Sequence, residues 1–514
     1  MAQSTQALKN SSSSVIIIPK RRNVLGYYLL AIVAYAIFFS IWQVELVPLY
    51  VHVAAIVVGA TCFIPLARWY GSGAQGLPMF ELVCLSYAIQ FSTPIYHQPN
   101  YLVLLDSPVY FSWDVVFETL LCVEFGVVAL FVGYYLLRRS SWVQSRTRLD
   151  LPMSTKRLPY YLAMAITLSG VGFAIQSTGA LASISSVSSL VTLAINQIYI
   201  VIVLLSYVTF GHTQRSSRYS LLLLATTVLA VAGGLTTGML ENAFIPIALV
   251  FVVRWHIQRR IPWRWIALGF VAFIILNGAK SAYRDIAWSR DDLTLTDRLS
   301  LWADTSQQVV QELPTDDPAK GISDLTRASM FRFDLIHKFA QVYSMIPRYV
   351  PFYSGETYEY MLIGWIPRVI WPDKPAASDS NQQLDIELGF KYSSQEGRST
   401  IGIGQLPEAY ANYGIVGIIV VMLVQGMIFA GLDQVLNGPC SEGGRAIYLS
   451  LMVFLLNGIG SSTSIWFGGL IQYTVAYAIL LRPFATGWRA RSNTTGLESV
   501  PTAKPSTTLM GIER

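Results

Sequence analysis

The sequence predicts an all-α, polytopic membrane protein with about twelve transmembrane helices and one large external loop containing amphipathic helices. Three observations lead there. The chain is 53% hydrophobic and only 13% charged, against roughly a quarter charged in soluble domains. Apolar runs close to the ~20 residues needed to cross a bilayer core recur along its whole length. Its 36 Lys and Arg are placed so that they orient those runs.

The runs fall near residues 24–43, 50–67, 78–96, 115–137, 159–178, 188–210, 219–235, 238–253, 263–279, 406–431, 446–461 and 465–481. The pair at 219–253 is interrupted by Gly233, Gly234 and Gly238, which suit a tight hairpin or a broken helix. This divides the chain into a cytoplasmic tail (1–23), spans one to nine (24–279), a large loop (280–405), spans ten to twelve (406–481) and a second tail (482–514). The stretch from Ser492 is rich in Ser, Thr and Pro, a composition that predicts disorder. The start is a Ser-rich polar stretch. The apolar run after Lys20-Arg21-Arg22 has full span length and no small-residue cleavage pattern follows, so a cleaved signal peptide is not expected.

Positive charge beside the first span holds the N-terminus in the cytoplasm, and twelve spans return the C-terminus there. Every Lys and Arg then falls either in a cytoplasmic segment or in the large loop, which holds thirteen between 280 and 404. The short outer connections near 44–49, 97–114, 179–187, 236–237 and 462–464 hold none. A long exported segment does not break the rule, because long loops cross largely regardless of charge. The net charge of +6 reflects this orientation and does not suggest nucleic acid. Cys62, Cys84, Cys122 and Cys440 lie in spans or on the cytoplasmic side, so the loop has no disulfide or thiol chemistry, and no Cys or His spacing suits a metal.

The loop carries the candidate chemistry. Residues 280–313 are polar and mixed in charge, and 314–321 read as a turn-rich linker in which Asp316 and Asp317 are solvated rather than a metal site. A helix is expected from about Ser323 to Ile346, with an apolar stripe of Phe331, Leu335, Phe339, Val342 and Ile346 and an Asp334–Lys338 pair on its polar side. Such a helix suits the membrane surface, with Arg327, Arg332 and His337 projecting from it. Downstream, Pro367, Pro372 and Pro375 hold Arg368 and Lys374 on a stiff backbone, where they can meet anionic oxygens. Trp365 and Trp371 offer flat faces to sugar rings or to the bilayer interface. Glu408, one residue after Pro407, either complements the dipole of the tenth span or accepts a proton. Glu81, Glu118, Glu124 and Glu241 lie within spans and are expected to face the protein interior. Glu241 stands near the outer face and is read chiefly as hydrogen-bonded packing. Arg284 is placed to guard the mouth of a cavity.

Pro367-Arg368 with Trp371-Pro372-Asp373-Lys374-Pro375, followed by Gly404 and Glu408-Ala409-Tyr410-Ala411-Asn412-Tyr413-Gly414-Ile415-Val416-Gly417, resembles the bacterial O-antigen or oligosaccharide repeat-unit polymerase family (Wzy-type). Arg332 with Asp334 is similar to that family's Arg-containing helix. The resemblance implies an integral-membrane glycosyltransferase of GT-C-like fold in the bacterial inner membrane, its large loop periplasmic. Such an enzyme moves a growing glycan from undecaprenyl diphosphate onto a new lipid-linked repeat unit, without a nucleotide sugar, metal or other cofactor. On it, Arg284, Arg332, Arg368, Lys374 and Arg398 are the candidate diphosphate clamp. Glu408, then His337, is the candidate base, and Trp365, Trp371 and Tyr410 are candidate sugar contacts. The implied partners are lipid-linked donor and acceptor, membrane lipid, a flippase and a chain-length regulator. Unlike many relatives, this chain has no Arg between Gly233 and Asn242. O-antigen ligases share the layout and use a loop His, so ligase chemistry stays open. A twelve-span transporter or flippase is the alternative from another class, although the halves show no internal similarity.

Overall fold

The computed structural model describes residues 24–41, 47–72, 76–96, 100–105, 107–140, 148–154, 156–178, 185–211, 217–258, 263–290, 293–312, 321, 325–326, 329, 333–366, 370–371, 373–375, 379–392, 401–437, 442–485 and 489–491. Helices dominate them. In chain order they are α1 (Val24–Ile41), α2 (Leu49–Gly71), α3 (Met79–Tyr87), α4 (Trp113–Arg139), α5 (Leu158–Thr178), α6 (Ser185–Gly211), α7 (Ser217–Thr236), α8 (Leu240–Gln258) and α9 (Trp263–Ala287). They continue as α10 (Leu295–Gln311), α11 (Ile336–Met345), α12 (Glu356–Gly364), α13 (Asp379–Glu387), α14 (Gln405–Leu436), α15 (Glu442–Asn457) and α16 (Thr463–Leu481). Among the described residues, ten helices are long and apolar enough to cross a membrane: α2, α4 to α9, and α14 to α16. The protein is a multi-pass, all-α membrane protein in this sense. The run at 24–43 forms α1 but is not among those ten. The run at 78–96 is interrupted: α3 passes into a π-helical turn at Ala88–Ser92 and a 3-10 turn at Pro94–Tyr96.

Among the described residues, four short strands depart from the all-helical expectation. β1 (Tyr101–Leu104) and β2 (Ser107–Tyr110) form an antiparallel hairpin in the connection before α4. β3 (Arg148–Asp150) pairs with β4 (Arg489–Arg491), so the second tail contributes a strand, and its Ser/Thr/Pro-rich remainder lies outside the described residues. The α7–α8 pair is a tight hairpin. Gly238 at φ +71 turns the chain, and a Cβ on Gly234 would lie 2.5 Å from the Asn242 carbonyl.

Lipid tails are as apolar as the helices, so close backbone approach has to hold the bundle. At the α4–α14 crossing a Cβ on Gly133 would lie 2.0 Å from the Leu423 carbonyl oxygen, and one on Gly426 would lie 2.1 Å from that of Leu130. The core continues from this seam into the loop, through Leu335, Ile336, Phe339, Val342 and Ile346.

Two expectations for the loop are corrected. Helix α9 runs on to Ala287, which places Arg284 in its last turn rather than beyond it. The helix expected from 323 to 346 is described only as Ile336–Met345, and its apolar stripe is not a lipid-facing surface. Leu335, Phe339, Val342 and Ile346 are buried. Periodicity identified the apolar face correctly, but the face is covered by protein. Phe331 of the stripe lies outside the described residues. A helix not foreseen, α10, starts at a reciprocal capping box between Thr294 and Asp297. Its Trp302 indole donates to the Leu235 carbonyl at 2.7 Å and stacks on Tyr283, tying the loop to the α7–α8 hairpin.

Gly133→Leu should therefore force α4 and α14 apart and cost upward of the ~1–3 kcal/mol typical of overpacking. Gly431→Ala, with open space around it, should not. Thermal unfolding in detergent checks this. Equal midpoints for the two variants would mean that the seam does not hold the bundle.

Candidate functional site

The 280–405 loop is fixed on two interrupted helices. Within α14, Tyr413 (φ −142, ψ 20) and Gly414 (φ 61, ψ −146) leave the helical conformation, and the positive φ requires glycine in practice. The loop covers this break: Tyr353 N–H donates to the Ala411 carbonyl at 3.1 Å and Ser354 N–H to that of Asn412 at 3.2 Å. Gly355 N–H donates to Asn412 Oδ1 at 2.9 Å and Tyr413 Oη to the Ser354 carbonyl at 2.7 Å. At the π-helical turn after α3, Leu335 N–H donates to the Gln90 carbonyl at 3.0 Å.

This docking brings loop residues over a cavity of about 780 Å³. Its lower wall is apolar and comes from the helical bundle: Leu82 and Leu85 of α3, Phe244 and Ala248 of α8, and Phe273 of α9. Its upper rim is polar, with Gln90, Lys338, Asn381 and Gly402. Lys338 is half-buried and donates to the Gly402 carbonyl at 3.0 Å, and Asn381 Oδ1 is buried without a hydrogen-bond partner among the described residues. A second cavity, of about 430 Å³, lies between α5, α6, α7, α8, α15 and α16. Glu241, Ile245, Ser461 and Ile465 line both cavities.

Among the described residues, those singled out in the sequence are not gathered at one point. Arg332, Arg368 and Arg398 lie outside the described residues. Arg284 places Nε 2.9 Å from the Gly238 carbonyl and packs its guanidinium 4.5 Å from the Trp288 ring centre. It thus sits on the α7–α8 hairpin, the stretch that has no arginine of its own. Lys374 is buried and gives its ammonium to the carbonyls of Gly364 (3.0 Å) and Ile366 (2.6 Å), capping α12. Neither cation lines the two cavities. Trp365 and Trp371 are exposed, as either reading of them requires, whereas Tyr410 is buried among Phe339, Tyr343 and Phe352.

The two candidate bases are both fully buried. Glu408 Oε2 accepts the Thr463 N–H at 2.6 Å, filling an orphan donor in the first turn of α16. His337 Nδ1 lies 2.8 Å from Asp334 Oδ2, and Asp334 Oδ1 accepts the His337 backbone N–H. The expected Asp334–Lys338 pairing is therefore replaced: Asp334 gives both oxygens to His337, and Lys338 reaches Gly402.

Sequence reasoning missed the roles of Lys338 and Asp385. Asp385 on α13 is buried and accepts the Ile401 N–H at 2.7 Å. Burial pushes its carboxyl up to about 6, with the Ile401 amide, Lys338 and Lys391 opposing the rise. Burial also lowers the Lys338 ammonium from its ordinary value, opposed by Asp334 and Asp385. No local pattern pairs 338 with 385, so only the fold makes the two neighbours. Because the folded state holds the Asp385 proton more tightly than the unfolded chain does, this group's stabilising contribution is full below pH 3.8 and is lost as pH rises toward about 6. Asp385→Asn should flatten that part of the curve and leave the protein more stable at pH 7. Thermal midpoints measured across pH 4–7 check it, and an unchanged slope in the variant would contradict it.

A family model described as a domain of unknown function (DUF8712) matches residues 127–467, more than half of the chain and most of the helices that line both cavities. No curated protein and no solved structure matches. The chain belongs to the DUF8712 family.

Proposed function

We propose that the protein is a membrane glycosyltransferase that polymerises undecaprenyl-diphosphate-linked oligosaccharide repeat units into a surface polysaccharide. In this reading it is a twelve-span, GT-C-like enzyme of the bacterial inner membrane, with both termini cytoplasmic and the 280–405 loop periplasmic. The observation that carries the reading is the 780 Å³ cavity, whose apolar wall comes from α3, α8 and α9 and whose polar rim comes from the loop and from Gln90. Such a site suits an amphiphile with a long hydrocarbon tail and an anionic, hydrogen-bonding head. Lys338 supplies a cation at the rim, and among the described residues it spends one hydrogen bond within the protein. A leaving diphosphate gains negative charge, which a prearranged cation stabilises.

The motif arginines fit the same picture through their place in the chain. Arg332 directly precedes Phe333 of the cavity wall, and Arg398 lies three residues before Ile401, whose amide binds Asp385. Arg284 on the α7–α8 hairpin offers a cation where many members of the resembled polymerase family carry one in the hairpin itself. Trp365 and Trp371, exposed near the loop's proline-rich turn, suit the membrane interface or a glycan.

A second reading has its own support. The Asp334–His337 contact holds an imidazole in one tautomer, the arrangement of a general base, which suits one-step transfer to another lipid as in O-antigen ligases. Purified protein given lipid-linked oligosaccharide separates the readings: a ladder of products supports polymerisation, a single transfer to an acceptor lipid supports ligation, and unchanged substrate supports transport. Lys338→Ala and Arg332→Ala should each cut chain growth by about 100-fold or more while the proteins remain monodisperse. Normal ladders from both variants would remove the cationic rim from the chemistry.

A further inference from the structure

The smaller cavity is a chamber with unmet hydrogen-bonding capacity. Ser450 and Trp466 line it, each is only 2% exposed, and Ser450 Oγ and Trp466 Nε1 have no partner among the described residues. Buried polar atoms without partners are rare in native proteins and call for a ligand or ordered water. The rest of the lining mixes neutral donors and acceptors, such as Asn196, which donates to Tyr473 Oη at 2.8 Å. Among the described residues no Lys or Arg lines it, so an anionic group would be poorly held. At about 430 Å³, among tyrosine and phenylalanine rings, it falls within the ~300–1,000 Å³ range of small-molecule sites.

Glu241 stands where this chamber meets the larger cavity. Among the described residues lining either one, it is the only carboxylate. Its side chain is exposed to that space and makes no hydrogen bond or ion pair among the described residues. The other polar group of this turn, Asn242, is engaged by Thr237.

We propose that the chamber binds a neutral saccharide, the acceptor sugar, and that Glu241 is the catalytic base acting on its hydroxyl. This rests on the glycosyltransferase reading and names its second substrate site. The acceptor oxygen bonds to the anomeric carbon of the glycan held at the larger cavity. The anomeric carbon–oxygen bond to phosphate breaks, its electron pair leaves with the diphosphate, and the hydroxyl proton passes to the Glu241 carboxylate. Glu408 and His337, buried away from both cavities, then serve as positioning residues.

The test uses the full chain in detergent with an undecaprenyl-diphosphate-linked oligosaccharide. Glu241→Gln should slow transfer by about 100-fold or more while donor-lipid binding stays at the wild-type level. Asn196→Ala should raise the acceptor KM with a smaller effect on kcat. Soluble oligosaccharide should also perturb Trp466 fluorescence in the wild type, a signal that Trp466→Phe identifies. Wild-type transfer rates in Glu241→Gln, or no saccharide response at Trp466, would overturn the acceptor site alone. An inert wild-type protein that still binds saccharide would overturn the polymerase reading and, with it, the role of Glu241 as base.

Discussion

A helix interrupted inside a hydrocarbon slab is tolerable only if its freed backbone groups find partners within the protein. Among the described residues two helices are interrupted, α3 at its π-helical turn and α14 at Tyr413–Gly414. The 280–405 loop supplies the partners in both cases: Leu335 donates to the Gln90 carbonyl, and Tyr353 and Ser354 to those of Ala411 and Asn412. The loop is therefore not an appendage on the bundle. Detaching it would leave carbonyls unsatisfied in a medium of low dielectric, at a cost of several kcal/mol per group. That constraint holds the polar rim of the larger cavity in place above its apolar wall.

The same constraint explains the division of labour among the charged groups of the loop and of the helices beside it. Those needed for attachment are buried and engaged by protein: Lys374 by the end of α12, Glu408 by the start of α16, Asp334 by His337. Groups that line open space, Lys338 and Glu241, are less committed. A cation and a carboxylate lining one cavity suit a reaction in which negative charge develops and a proton is released.

Much of the architecture was legible beforehand. Apolar runs located ten spans, and Gly233, Gly234 and Gly238 located the α7–α8 hairpin, because crossing a bilayer imposes length and tight turns need glycine. The glycine seam of Gly133 and Gly426 was not legible, since nothing in either helix says which partner it meets. The break in α3 was also hidden, its run being as apolar as an unbroken span. Helix α10 announced itself through Thr294-x-x-Asp297 and was overlooked for its polar composition. For the site, abundance of arginine in the loop drew attention to residues 332, 368 and 398, whereas the described cavity is built around Lys338, Asn381 and Glu241. Lys338 looked like a helix-surface partner of Asp334 because spacing along one helix cannot register Gly402 or Asp385, both more than forty residues downstream. Glu408 looked like an available carboxylate because burial is a property of the assembled fold.

Photo-crosslinking with a polyprenyl diphosphate analogue that carries its reactive group on the isoprenoid chain tests the amphiphile site most directly. Labelling concentrated on α3, α8 and α9 around Leu85, Phe244 and Phe273, and displaced by unlabelled undecaprenyl diphosphate, is the predicted result. Labelling spread evenly over the outer faces of the bundle, undiminished by the competitor, would contradict it.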